Sequence, residues 1–297
     1  LNEYLLALIL GIVEGLTEFL PVSSTAHLRV AEALLGVSLT SGYWKMFTIV
    51  IQLGAILCLP IYFRSRIAKF IATFPRGEKG DRNALTHPVG LTAIAFVFTA
   101  VPALLMTRII GKHLESLFVM GLSLVVGGVV MWLVDHAYGA GDNRGADFLA
   151  FNKPTSRMED MSLPQAVWIG ICQVASAVCP GTSRSMATIA AGQLVGMDRP
   201  SALEFSFFLS LPTMVAATLY DLYKSLRHHA GETSAIGVAP TDLHGWVVLG
   251  IGFVVSFIVA YAVVAWFMNW VRTRGFVPFA VYRLIAGTAV LVWALKN

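Results

Sequence analysis

Residues 14–27 read E-G-L-T-E-F-L-P-V-S-S-T-A-H, and residues 180–188 read P-G-T-S-R-S-M-A-T. Both stretches lie inside apolar sequence of membrane-spanning length, and they look like copies of one another. Two acids (Glu14 and Glu18), one histidine (His27), one arginine (Arg184) and several hydroxyls gather in them. Ionisable groups at membrane depth are costly and mark function. Each stretch also places proline beside small and hydroxyl residues, which breaks its apolar run into two short helices. Broken backbone at that depth must be shielded by protein or line a wet cavity. The expected fold class is all-α and polytopic, with six transmembrane helices plus two re-entrant helix pairs in two inverted-topology repeats.

Composition agrees. The chain has 297 residues, 57% hydrophobic and 13% charged, where a soluble domain carries about 25% charged residues. Mean hydropathy is +0.73. The formal charge of +4 is too small to imply a nucleic-acid partner, and its placement bears on topology instead. Cys58, Cys172 and Cys179 sit in apolar runs at no metal-ligand spacing, so they are expected to be buried packing residues. The N-terminal apolar run has no basic region before it and leads straight into the first motif, so no cleavable signal peptide is expected.

About 20 apolar residues make a spanning helix. Six stretches qualify: 44–63, 89–110, 117–135, 204–223, 245–271 and 276–295. The re-entrant pairs are 4–36 and 164–195. A shift of 159 residues carries Gly11 onto Gly170, Pro21 onto Pro180, Ser24 onto Ser183 and Leu35 onto Leu194. The same shift superposes two pairs of spans, which points to a duplication. Residues 1–137 then form the first repeat, 138–161 a polar cytoplasmic linker and 162–297 the second repeat. Each repeat has an odd number of spans, so the second is expected to be inverted. Arg64, Arg66, Lys69, Arg76, Lys79 and Arg82 place the loop 64–87 in the cytoplasm. Ser162-x-x-Gln165 with Pro164 is expected to open a helix with a capping box, and Ser201-x-x-Glu204 to do the same, which makes Glu204 a cap. Phe205, Phe207 and Phe208 are expected to pack or to face lipid. Asp221 and Arg283 are expected to pair at helix ends.

The chemistry belongs to the two breaks. Glu14 and Glu18 are spaced i, i+4 and share a helix face. Two close carboxylates in an apolar setting take up a proton or bind a cation. Ser23, Ser24 and Thr25 stand at the start of the next helix, with Ser183 and Arg184 in the equivalent place of the second copy. At least one serine in each copy is expected to cap its helix. Helix N-termini also bind anions, and an arginine fork suits phosphate. Arg184 is expected either to bind such an anion or to pair with Glu14 or Glu18. His27 lies three residues after Ser24, so it can serve Ser24 as a base, act as a nucleophile itself, or be a hydrogen-bonded core residue. In this alignment Thr25 matches Arg184 and His27 matches Met186.

These motifs, with F-V-P-F-A-V-Y-R at 276–283, resemble the signatures of the bacitracin-resistance family, the undecaprenyl-diphosphate phosphatases. The resemblance covers essentially the whole chain. It implies an integral enzyme of the bacterial inner membrane whose site faces the periplasm. Such an enzyme removes the terminal phosphate of a polyprenyl diphosphate so that the lipid carrier can be reused for peptidoglycan. It also implies a divalent cation (Mg or Ca), with Glu14 and Glu18 binding it or assisting proton transfer, contact with membrane lipids, and a homodimer. Ser24, His27, Glu18, Glu14 and Arg184 become the catalytic candidates. Ser183, Arg184, Thr188 and Thr25 become the substrate-binding ones. A lipid flippase or transporter on the same inverted-repeat architecture is the competing reading.

Overall fold

Proline, glycine and serine punctuate otherwise continuous apolar sequence, and the helices follow that punctuation. The computed structural model describes residues 2–38, 42–106, 116–138, 155–226 and 237–296, the side chains of 221–226 excepted. Among these the helices are α1 (Glu3–Thr17), α2 (Ser24–Leu35), α3 (Gly42–Tyr62), α4 (Arg64–Thr73), α5 (Pro88–Leu105) and α6 (Leu117–Tyr138). They continue with α7 (Leu163–Val178), α8 (Arg184–Leu194), α9 (Arg199–Leu226), α10 (Leu243–Arg274) and α11 (Val277–Lys296). By length and composition six of them can cross a membrane: α3, α5, α6, α9, α10 and α11. These are the six stretches expected from sequence. The pairs α1–α2 and α7–α8 flank the two breaks. Most of the linker 138–161, residues 107–110 of the second span and the Asp221 side chain lie outside the described residues.

Packing is reciprocal between the halves. The helix before the first break, α1, lies on α10, and the helix before the second, α7, lies on α5. Likewise α3 packs on α10 and α9 on α5, while α6 pairs with α11. Small residues allow the closest approach, as they do between membrane helices in general. A Cβ added at Gly11 would stand 2.9 Å from the Gly252 carbonyl, and one at Gly15 would stand 2.8 Å from that of Ser256. Large apolar side chains such as Leu133 (64% exposed) and Ile285 (68%) face outward, as a lipid-facing belt requires.

Several expectations need correction. The Ser162 capping box forms, with the Ser162 N–H donating to Gln165 Oε1 at 2.8 Å. The second one does not. Helix α9 starts earlier, at Arg199, and Asp198 Oδ1 accepts the Ser201 N–H at 2.8 Å. Glu204 instead accepts from Arg66 Nε at 2.8 Å, and Arg66 also holds Glu159. This ties α4 to α9 across a segment expected to be plain loop. Cys58 is buried, but Cys172 is half-buried and Cys179 exposed at the end of α7. Phe205, Phe207 and Phe208 are all buried, so they pack inside rather than meet lipid. Arg283 is not at a helix-end ion pair. It is fully buried within α11.

Candidate active site

Each break ends in a serine that caps the following helix. Ser23 caps α2 and Ser183 caps α8, with φ of 75° and 69°. Among the described residues they are the only non-glycine positions with positive φ. A side chain there is strained, and such strain persists where the surroundings hold it in place. Ser23 Oγ accepts the Ala26 N–H and Ser183 Oγ accepts the Met186 N–H, both at 3.4 Å. The carbonyls of Ser23 and Ser183 accept from His27 and Ala187. The structural register therefore matches Ser23 with Ser183, Ser24 with Arg184 and His27 with Ala187. This corrects the expected alignment by one residue. The shift of 159 fits Gly11 and Gly170, but the second copy spends one more residue before its cap.

The corrected register makes Ser24 and Arg184 counterparts at the first position of α2 and α8, and one carboxylate joins them. Glu18 sits just past the end of α1 and is buried. Its Oε2 accepts from Ser24 Oγ at 2.6 Å, and its Oε1 accepts from Arg184 Nη2 at 3.0 Å. Of the two acids that Arg184 could meet, it takes Glu18. Nη1 of Arg184 is buried and has no partner. Glu14 is completely buried, and neither of its oxygens has a hydrogen-bond partner.

These groups border two cavities. Chamber one, of about 210 Å³, is lined by Glu18, Ser24, Thr25, Gln52, Ser183 and Arg184, with Ser176 and Met214 farther round. Chamber two, of about 180 Å³, is lined by Glu14, Ser24, Thr25, Arg29, Thr48 and Gln52, with Leu28 and Ile49. Ser24, Thr25 and Gln52 border both.

Two candidates stand apart. His27 does not bond to Ser24. Its Nδ1 meets the Ser23 carbonyl at 2.7 Å and its Nε2 meets the Tyr282 hydroxyl at 2.6 Å, with the two rings stacked. Both ring nitrogens are thus engaged, and His27 borders neither chamber. Ser24 turns toward Glu18 instead because the carboxylate stands directly before the helix start. Thr188 is also buried away from the chambers. Its Oγ1 lies 2.7 Å from Ser206 Oγ, joining α8 to α9.

The sequence reading missed Gln52, Tyr282 and the full part of Arg283. Gln52 is a lone amide in the apolar run 44–63, which is itself a signal. Arg283 Nη1 donates to the Pro21 carbonyl at 3.0 Å. Its Nη2 donates to Ser123 at 3.0 Å and to Gly181 at 3.2 Å. One guanidinium therefore holds both broken loops and α6. Gly127 makes the room: a Cβ there would run into the guanidinium and stand 2.7 Å from Met186 Cε.

The residues present fit a hard cation. Mg²⁺ is usually held by one or two carboxylates with substrate phosphates completing the shell. Glu14, with two open buried oxygens beside Thr48 and Gln52, offers such a start. Glu18 is already engaged by Ser24 and Arg184, so a cation would rest mainly on Glu14. Among the described residues no cluster of three or more His, Cys, Asp or Glu side chains could form an all-protein metal site.

Relatives agree over the full length. An undecaprenyl-diphosphatase from Koribacter versatilis (strain Ellin345) is 66% identical over 297 residues, covering all of both chains. One from Caldanaerobacter subterraneus subsp. tengcongensis is 38% identical, covering 96% of this chain and 94% of the relative. Another, from Bradyrhizobium sp. (strain ORS 278), is 40% identical, covering 98% and 97%. The family model described as bacitracin resistance protein BacA matches residues 7–289. With two breaks built from the motifs that first suggested it, this chain belongs to the BacA bacitracin resistance family.

Proposed function

We propose that this chain is an undecaprenyl-diphosphate phosphatase. It releases the terminal phosphate of the lipid diphosphate and returns the monophosphate carrier to cell-wall synthesis, which confers bacitracin resistance. The observation that carries the reading is the bridge Ser24–Glu18–Arg184 at the meeting of two helix N-termini. A flippase has no need of a serine hydroxyl seated 2.6 Å from a buried carboxylate.

The mechanism follows from these contacts. Ser24 Oγ attacks the terminal phosphorus in line while its proton passes to Glu18 Oε2. The phosphorus–bridging oxygen bond breaks, and its electron pair leaves with the lipid monophosphate. Arg184, through its open Nη1, and the first N–H groups of α8 neutralise the equatorial oxygens, where charge is spread in phosphoryl transfer. Glu18 gives that proton up to the departing monophosphate. Water then attacks the phosphoserine and gives a proton to Glu18. The Oγ–phosphorus bond breaks, Glu18 Oε2 returns the proton to Ser24 Oγ, and phosphate departs. A divalent cation at Glu14 would supply further neutralisation of the diphosphate charge. His27 positions the start of α2 through the Ser23 carbonyl and Tyr282 rather than attacking.

The setting is proposed as the bacterial inner membrane, with the chambers open to the periplasm. The reciprocal packing of α1 on α10 and α7 on α5 supports an inverted repeat. Phosphate release from undecaprenyl diphosphate by the purified protein in detergent tests the reading. Ser24→Ala and Arg184→Ala should each lower kcat by on the order of a thousandfold, and substrate labelled in the terminal phosphate should leave label on Ser24. Full activity in either variant sinks the site. Lipid movement without phosphate release turns the reading to a carrier.

A further inference from the structure

Chamber two repeats the chemistry of chamber one a turn farther along the same helices. On α1 the carboxylate of Glu18 borders chamber one, and that of Glu14, four residues earlier, borders chamber two. On α3, Gln52 borders both and Thr48, four residues earlier, borders chamber two. On α2, Thr25 borders both and Arg29, four residues later, borders chamber two. Residues four apart share a helix face and are displaced by about 6 Å along it. The second tier therefore holds a carboxylate, a hydroxyl and a guanidinium, as the first does. The mechanism above gives the second no part beyond the cation that Glu14 would hold.

Arg29 is the sole cation bordering chamber two among the described residues. Its Nη1 meets Glu32 Oε2 at 2.7 Å, a pair one helical turn in span. Its side chain is only 20% exposed. A guanidinium carries five donors in a planar fork and suits tetrahedral oxyanions. Ser24 and Thr25, at the start of α2, border the chamber beside it.

We propose that chamber two is a second oxyanion subsite with Arg29 as its cation, occupied by one phosphate group while Arg184 holds the phosphoryl group under transfer. This rests on the diphosphatase reading. The occupant chemistry is a phosphate with at least two free oxygens, supplied either by the lipid-side phosphate of the diphosphate or by orthophosphate on its way out.

The test is product inhibition. Turnover of farnesyl diphosphate by the full-length protein in detergent is followed with added farnesyl monophosphate or inorganic phosphate, for wild type, Arg29→Leu and Arg29→Lys. Loss of charge-assisted bonds should weaken inhibition by one of the two products by about tenfold or more in Arg29→Leu. Arg29→Lys, which keeps the charge, should restore much of it. Weakened inhibition by farnesyl monophosphate assigns the lipid-side phosphate to the chamber, and weakened inhibition by inorganic phosphate assigns the exit route. Unchanged inhibition by both, whether or not kcat falls, overturns the proposal and leaves Arg29 as a residue that only steadies α2. If wild type releases no phosphate, the failure lies with the diphosphatase reading instead.

Discussion

Replacing Arg283 with methionine is the sharpest perturbation of the site that leaves every chamber-lining residue in place. The guanidinium donates three hydrogen bonds, to the carbonyls of Pro21, Ser123 and Gly181. Among the described residues no carboxylate neutralises it. The Ser123 carbonyl keeps its bond within α6, so Arg283→Met leaves two carbonyls, Pro21 and Gly181, unsatisfied at about 1–3 kcal/mol each, while removing a buried charge returns several kcal/mol of desolvation. The balance is a net loss of roughly 3 kcal/mol or less, so the variant should fold. The larger effect is on chemistry. Pro21 precedes Ser24 by three residues and Gly181 precedes Arg184 by three, so loosened loops displace the nucleophile and its cation together. A misplacement near 1 Å costs about 100-fold in rate. kcat should therefore fall on the order of 100-fold, and KM much less. Arg283→Lys, a point charge that cannot fork to three carbonyls, should fall between. Gly127→Ala leaves Arg283 in place but pushes a methyl group against it, and should lower kcat in the same direction. Phosphate release under saturating lipid diphosphate, with size-exclusion profiles to confirm folding, reads all three. A folded Arg283→Met protein with wild-type kcat would refute the reasoning, because the loops would then hold themselves.

Two further outcomes are expected. If His27 acts by positioning through its 2.6 Å contact with Tyr282, then Tyr282→Phe and His27→Ala should each lower kcat about tenfold and the double variant should fall no further; additive losses would give His27 a separate part in the chemistry. His87 caps α5 by accepting the Val89 N–H on Nδ1, and its Nε2 contacts Thr73. Burial, and then Arg82, hold its pKa below the ordinary 6.5. Between the folded and unfolded values the unfolded chain binds more protons, so stability is full above about 6.5 and falls as pH drops through the folded value. Melting in detergent from pH 7.5 to 5 should show this decline, and His87→Asn, which caps without titrating, should flatten it.

The spans were readable because twenty apolar residues in a row leave few alternatives, and the breaks because proline and serine interrupt them. The register across the breaks was not, since identities at Gly11, Pro21 and Ser24 favour a single shift, whereas the added residue before Ser183 becomes visible only through the two strained caps. His27 illustrates a second limit. Helical spacing put it on the face of Ser24, but Ser24 is the first helical residue, and there the nearest acceptor is the acid that ends the previous helix. Thr188 lies in the motif with Arg184, yet faces α9. Arg283 was visible as a charge in an apolar run, but carbonyl acceptors leave no trace in sequence, so nothing in the run named its partners.

Arg283 also bears on how the two halves can move. Proteins that carry a solute across a membrane on inverted repeats rock one half against the other. Here the last helix of the second half grips the main chain of the first half at Pro21 and Ser123, and that of its own half at Gly181. Rocking would have to tear a buried cation from three backbone carbonyls at once. The pin holds the last helix and both broken loops together as a fixed jaw.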